Sequence, residues 1–174
     1  MRLRGRPLIT LGTTSQQHGY AREMTHGFVP DDYTVPLTLS GPGFHLEPLG
    51  PQHNDADHHA WTSSIEHIRA TPGFATGRWP PAQGMSLDEN LRDLRRHADD
   101  FQRRVGFTYT VLDDEDGVIG CVYIYPSRTD PGITEVWSWV TAGRADLDSV
   151  LHETVDSWLA ADWPFSDVRY RNRA

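Results

Sequence analysis

Apolar residues recur at spacings of three and four in three stretches of the chain, and five further stretches read as strands. The stretch 133–163 joins one of each kind. ITEVWSWV reads as a strand, rich in Trp and Val with near-perfect alternation. A Thr-Ala-Gly-Arg-Ala loop follows, then a helix from about Asp146. Its Leu147, Val150, Leu151, Val155, Trp158 and Leu159 fall on one face. A strand that feeds through a tight turn into a helix aims backbone N–H groups and the positive dipole end at one spot. Such a spot suits a phosphate-bearing ligand.

Upstream, 44–49 alternates and predicts a first strand with Phe44, Leu46 and Pro48 facing one way; the proline suits an edge or a strand end. Residues 53–68 predict a helix through Trp61, Ile65 and Ile68, with Asn54 or Asp55 as N-cap. Ser86 and Glu89 form a capping box. Behind it Leu87, Leu91, Leu94, Ala98, Phe101 and Val105 predict a long helix that Gly106 ends. Two strands, 107–112 and 118–125, flank the acidic turn Asp113–Gly117, and a short strand over 167–172 closes the series. The order is strand, helix, helix, hairpin, strand, helix, strand. It predicts the α+β class, a mostly antiparallel sheet with helices on its faces.

The rest is irregular. Residues 28–42 carry three prolines and read as an extended lead-in. Residues 71–85 are rich in Gly and Pro, and read either as a binding loop or lid, or as a surface loop pinned by Phe74 and Trp79. Residues 1–25 lack periodicity and carry Arg2, Arg4, Arg6 and Arg22 against Glu23. They predict a disordered tail, with Met24 as a candidate translation start. The remainder, 26–174, is expected to be one domain.

Composition narrows the function. All 16 basic residues are arginine, the net charge is -8, and no basic stripe occurs. Nucleic acid and anionic membranes are therefore poor partners. No apolar run is long enough to span a bilayer, and Leu8–Leu11 is too short for a secretory core, so a cytoplasmic location is expected. Cys121 excludes an internal disulfide and, in its apolar run, reads as a buried inert thiol rather than a nucleophile. The acids at 113–116 lack the ligand spacing of a calcium loop and read as a solvated turn.

The element order over 44–172 resembles the GCN5-related N-acetyltransferase fold. In that fold a strand and two helices precede a hairpin, and the next strand runs into the cofactor helix. Gly120, in VIGCVYIY, matches a glycine common on the family's third strand. The resemblance implies acetyl-CoA as co-substrate and a small amine as acceptor. It also implies that the Trp-bearing strand parts from its neighbour, leaving backbone groups free for the pantetheine arm. The cofactor-binding positions it implies are Trp139, Val140, Thr141, Arg144 and Ala145, with Asn172 beyond the last strand. A base near the strand and a tyrosine acid are also implied; the base falls to Glu135, and the acid, whose usual position has no counterpart, to Tyr109, Tyr123 or Tyr125 of the hairpin, Tyr125 first, or to another subunit.

Three departures accompany the resemblance. After Arg144 the loop has no glycine, Asp146 and Asp148 put carboxylates where a pyrophosphate would sit, and the family's last helix and strands have no counterpart. Each candidate also has a plainer reading. Glu135, beside Trp137 and Trp139, is either a base with a raised pKa or a surface acid. Arg144 either contacts phosphate or pairs with Asp146 or Asp148. The run His53-Asn-Asp55-Ala-Asp57-His58-His59 resembles the metal motif of the metallo-β-lactamase fold, yet lacks downstream ligands and reads better as a polar helix start; no metal site is expected. An alternative function is a non-catalytic relative that binds a small ligand or partner. In either case the exposed sheet edge predicts a homodimer.

Overall fold

A computed structural model describes residues 27–171. The predicted tail, Met24 and Asn172 lie outside those residues. Six strands form one sheet in sequence order: β1 (Leu39–Gly41), β2 (Phe44–Pro48), β3 (Phe107–Leu112), β4 (Val118–Pro126), β5 (Thr134–Val140) and β6 (Val168–Tyr170). Every pairing is antiparallel except that of β5 with β6, which is parallel. Three helices, α1 (Asn54–Thr62), α2 (Ile65–Ala70) and α3 (Leu87–Gln102), cover one face. The fourth, α4 (Asp148–Asp162), covers the other. The α+β class and helices on both faces are as the pattern predicts.

Alternation sorts the side chains between two cores. Val136 and Val140 of β5 join Phe44, Leu46, Tyr109 and Val111 beneath the apolar face of α4. Trp139, with Cys121 and Tyr123 of β4, packs under Trp61, Ile68 and Leu94 on the opposite side. Cys121 is fully buried and unpaired, and burial pushes its thiol well above the ordinary range, as suits an inert residue.

Four boundaries differ from expectation, each for a local reason. β1 forms within the stretch read as an extended lead-in, pairing across the turn at Gly43, whose φ of 79° favours glycine. The predicted helix over 53–68 is two helices. Thr62 and Ser63 donate their hydroxyls back to the carbonyls of His58 and Ala60, and Ser64 leaves helical geometry. A 3-10 turn, Pro51–His53, leads into α1, so neither Asn54 nor Asp55 is its N-cap. Finally, the capping box at Ser86 forms, but α3 stops before Gly106. Arg104 takes the left-handed position (φ 59°), with Arg104 N–H donating to Phe101 O and Val105 N–H to Asp100 O. Its guanidinium bonds the carbonyls of Pro30 and Tyr33 at 2.6 and 2.9 Å. Gly106 is required instead by the Tyr125 ring, which an added Cβ would meet at 2.1 Å.

A polar knot sits between α1, α3 and β4. Asn90 donates to Asp57 Oδ2 at 3.0 Å and accepts from Trp61 Nε1 at 2.9 Å. Burial raises the pKa of Asp57, opposed by the hydrogen bonds from Asn90 and Cys121. The folded state therefore favours the protonated acid. The stability this group contributes is complete below the ordinary carboxylate pKa and is lost as pH rises through the raised folded value. Asp57→Asn should abolish that loss and leave the protein more stable than wild type at pH 7. Urea denaturation of both proteins between pH 4 and pH 8 checks this; parallel pH profiles would refute it.

Candidate functional site

The site begins where β5 outruns β6. Residues Thr134, Glu135 and Val136 pair with Val168, Arg169 and Tyr170, and the ladder's last rung is Arg171 N–H to Val136 O at 2.8 Å. Backbone groups of successive strand residues point alternately to either neighbour. Thr134 N–H and Val136 O face β6, whereas Thr141 N–H bonds Ile119 O on the β4 side. By this alternation Ser138 and Val140 turn their N–H and C=O groups to an edge that no strand covers among the described residues. Trp137 and Trp139 turn theirs to β4.

The expectation did not say from which neighbour the strand would part. The Trp-bearing strand does not part from β4: their pairing runs without a shift from Gly120↔Val140 to Pro126↔Thr134. Among the described residues its pairing with β6 ends at Val136. Of the expected cofactor positions Val140, itself buried, turns its backbone to the edge that no described strand pairs; Trp139 and the N–H of Thr141 are engaged with β4, and the Thr141 carbonyl accepts from Arg144 N–H. The indole of Trp139 is buried and bonded to the Tyr123 hydroxyl. Ser138, passed over in the sequence, has the right phase. Its hydroxyl accepts from Tyr170 at 2.6 Å, and His152 sets its ring edge-on to Tyr170 at 4.4 Å, so the α4 side of the opening is closed.

The loop after β5 is a 3-10 turn, Ala142–Leu147, with Arg144 off the helical geometry at φ -124°, ψ 28°. Helix α4 starts at Asp148, later than expected, and its N-cap Leu147 offers no side-chain acceptor. Ala142 N–H is taken by Ser64 Oγ at 3.0 Å. Arg144 reaches neither of its expected acid partners but Asp113 in the β3–β4 turn, 3.6 Å away. That turn is therefore tied to the loop as well as solvated. Ala145 and Asp146 are exposed at its outer surface.

On the α1–α3 side of the opening lies a cleft of about 760 Å³, walled by the segment 71–85 and α3 and floored by Tyr123, Trp137 and Arg171. Phe74 and Trp79 pin the segment to the core (ring centroids 5.7 Å apart), and its outer part lines the cleft. A second cavity of about 570 Å³ adjoins, sharing Arg96, His97, Trp137 and Arg171. Trp137 stacks on Tyr123 (5.3 Å, 11°), and the Arg171 guanidinium lies 3.9 Å from the Trp137 ring centroid.

Glu135 does not have the raised pKa expected of a carboxylate beside two indoles. Burial pushes it up, but the hydrogen bonds from Arg171 (Nε to Oε2, 2.9 Å) and Ser127 (3.0 Å), with the charge of Arg171, outweigh burial and hold it below the ordinary value. It is absent from the lining of both cavities. Tyr125, its cross-strand neighbour, bonds His97 Nδ1 at 2.8 Å, Thr108 at 3.3 Å and Asp100 at 3.2 Å. Burial, chiefly, raises its pKa to about 12. His97 was missed as a site residue because its helical spacing reads as ordinary helix surface. It lines both cavities, with Nε2 3.7 Å from Asp93. Burial pushes Asp93 up, and the hydrogen bond and charge of His97, with those of Arg96, more than offset it. Among the described residues no group of three or more metal-ligating side chains converges. His53 is engaged by Glu47 at 2.6 Å and by Gly50 N–H, and His58 by the Met85 carbonyl.

No protein-family model matches the chain, and no curated protein does. Solved structures do. The ribosomal-protein-S5-alanine acetyltransferase from Vibrio fischeri superposes with a TM-score of 0.60 at 10% identity, over 78% of this chain and 73% of that one. RimL, a ribosomal L7/L12 alpha-N-protein acetyltransferase in complex with coenzyme A, gives 0.57 at 12% identity, over 78% and 71%. A putative GnaT-family acetyltransferase from Bordetella pertussis gives 0.55 at 16% identity, over 78% of each chain. No helix among the described residues is long and apolar enough to cross a membrane. The chain has the fold of the GCN5-related N-acetyltransferases.

Proposed function

We propose that this protein is an acyl-CoA-dependent N-acyltransferase, with acetyl-CoA as co-substrate and a small amine as acceptor. One observation carries the reading: past Val136 the edge of β5 is paired by no described strand, and a cleft lined by Trp137 and Arg171 lies beside it. A pantetheine arm lying along that edge would pair with the backbone of Ser138 and Val140, as a missing β-strand would. Bound acetyl-CoA supplies an activated thioester, so the protein's task is mainly to position the amine. The amine nitrogen forms its bond to the acyl carbon as the carbon–sulfur bond breaks.

His97, on the cleft wall beside Asp93, would take the amine proton. Glu135, ionised and bound to Arg171, holds that guanidinium over Trp137. Tyr125, with a pKa of about 12, steadies the departing thiolate by hydrogen bonding more readily than by protonating it. A thiol's ordinary pKa is several units lower, about 8.5. Arg144, Ala145 and Asn172 would meet the phosphate end. The engaged N–H of Ala142 and the nearby Asp146 make that end a weaker seat than a glycine-rich loop would.

Those engaged groups favour a second reading, a binding protein without catalysis. Calorimetric titration with CoA and acetyl-CoA separates the two. The proposal expects binding of both at micromolar to low-millimolar concentration, and no heat at millimolar ligand would leave the second reading standing.

A further inference from the structure

The cleft reverses the sign of the molecule around it. The chain carries a net charge of -8, yet Arg78, Arg92, Arg96 and Arg171 line one cavity, with Glu89 and Asp93 as its acids. Neither acid cancels the arginines fully. Glu89 is turned to the start of α3, where its carboxylate accepts from the Ser86 backbone N–H and hydroxyl, both at 2.8 Å; those bonds hold its pKa below the ordinary value. Asp93 is shared between Arg96 and His97. Arg171 is spent on Glu135 and on the face of Trp137. Arg78 and Arg92 make no hydrogen bond or ion pair with any described residue, and both are exposed at the cleft.

The two cavities sort these cations by position. Arg96 and Arg171 border both, beside Trp137, where β5 and β6 part. Arg78 and Arg92 border only the larger. The larger cavity is also lined by the aromatic side chains of Phe74, Trp79 and Trp137. A guanidinium presents paired N–H donors that match a carboxylate or phosphate. A concave site of one sign concentrates ligands of the other.

We infer that the acceptor of this site carries an oxyanion, a carboxylate or phosphate ester, on a compact apolar or planar body. Its anion rests on Arg78 and Arg92, and its amine reaches the fork at Trp137. This rests on the proposed acyl transfer for the amine end only; the anion seat is tested without any acyl donor.

The test uses the full chain and four probes: benzoate, phenyl phosphate, benzamide and benzylamine, followed by tryptophan fluorescence and calorimetry. Benzoate or phenyl phosphate should bind at least about tenfold more tightly than benzamide or benzylamine, and more weakly as salt rises. The tighter of the two names the anion. Arg78→Gln with Arg92→Gln should weaken that probe about tenfold while leaving the affinity for CoA unchanged. Equal affinity for benzamide, or an unaffected double variant, would overturn the inference. So would a parallel loss of CoA affinity, since the arginines would then serve the acyl donor's phosphates. Absence of CoA binding in the wild type, with the anion preference intact, would instead count against acyl transfer alone.

Discussion

Replacing Gly120 with alanine should destabilise the protein by about 3 kcal/mol or more, a large share of a small domain's total stability. A Cβ at this position would sit 2.2 Å from the Trp139 carbonyl oxygen and 3.2 Å from both Trp139 C and Val140 Cα. All three are backbone atoms of the neighbouring strand. Side-chain rotation cannot relieve the clash, and separating the chains breaks the β4–β5 ladder next to fully buried Trp139 and Val140. The contrast is Gly41, where the atoms in the way belong to the ring of Phe44. Urea denaturation gives the direct measurement. A Gly120→Ala protein with the wild-type midpoint would show that Gly120 and Val140 are not opposed as described.

Val140→Pro should abolish measurable CoA binding, a loss of a hundredfold or more, in a protein that still folds. Proline removes the one N–H that Val140 turns to the edge no described strand pairs, and puts its ring there. At Val140, the last residue of β5, no rung to β4 is lost, because the bonds to that strand come from Trp139 and Thr141. The cost to folding is the lost packing of a buried valine, on the order of 1 kcal/mol. Circular dichroism and a thermal melt check the fold, and calorimetry reads the affinity. Wild-type affinity in a folded Val140→Pro protein would remove the β5 edge from the proposal and send the search for a donor seat elsewhere.

The scaffold was legible because long-range order here follows local pattern. The hairpin 107–126, the Trp-bearing strand and α4 each bury one face, and period alone reveals it. Legibility failed where a tertiary partner decides. Glu135 beside two tryptophans suggested a raised pKa, and only the return of the chain at Arg171 reverses it. Arg144 had two acids nearby in sequence, yet its partner, Asp113, comes from another turn. The arginines of the cleft come from the segment 71–85, α3 and the end of β6, so no sequence window holds them together. His97 was hidden in the same way, because an i, i+4 Asp–His pair on a helix is ordinary.

Arg104 illustrates a wider point about improving such a protein. Glycine would relieve its left-handed backbone, a strain of about 1 kcal/mol, and a consensus of helix ends would recommend it. The same change would sever the two carbonyl contacts that fasten Pro30 and Tyr33 to the end of α3. The segment leading into the first strand would then lose its anchorage. A residue that is locally second-best serves here as a clasp, and optimising the turn in isolation would loosen the wrapper around it.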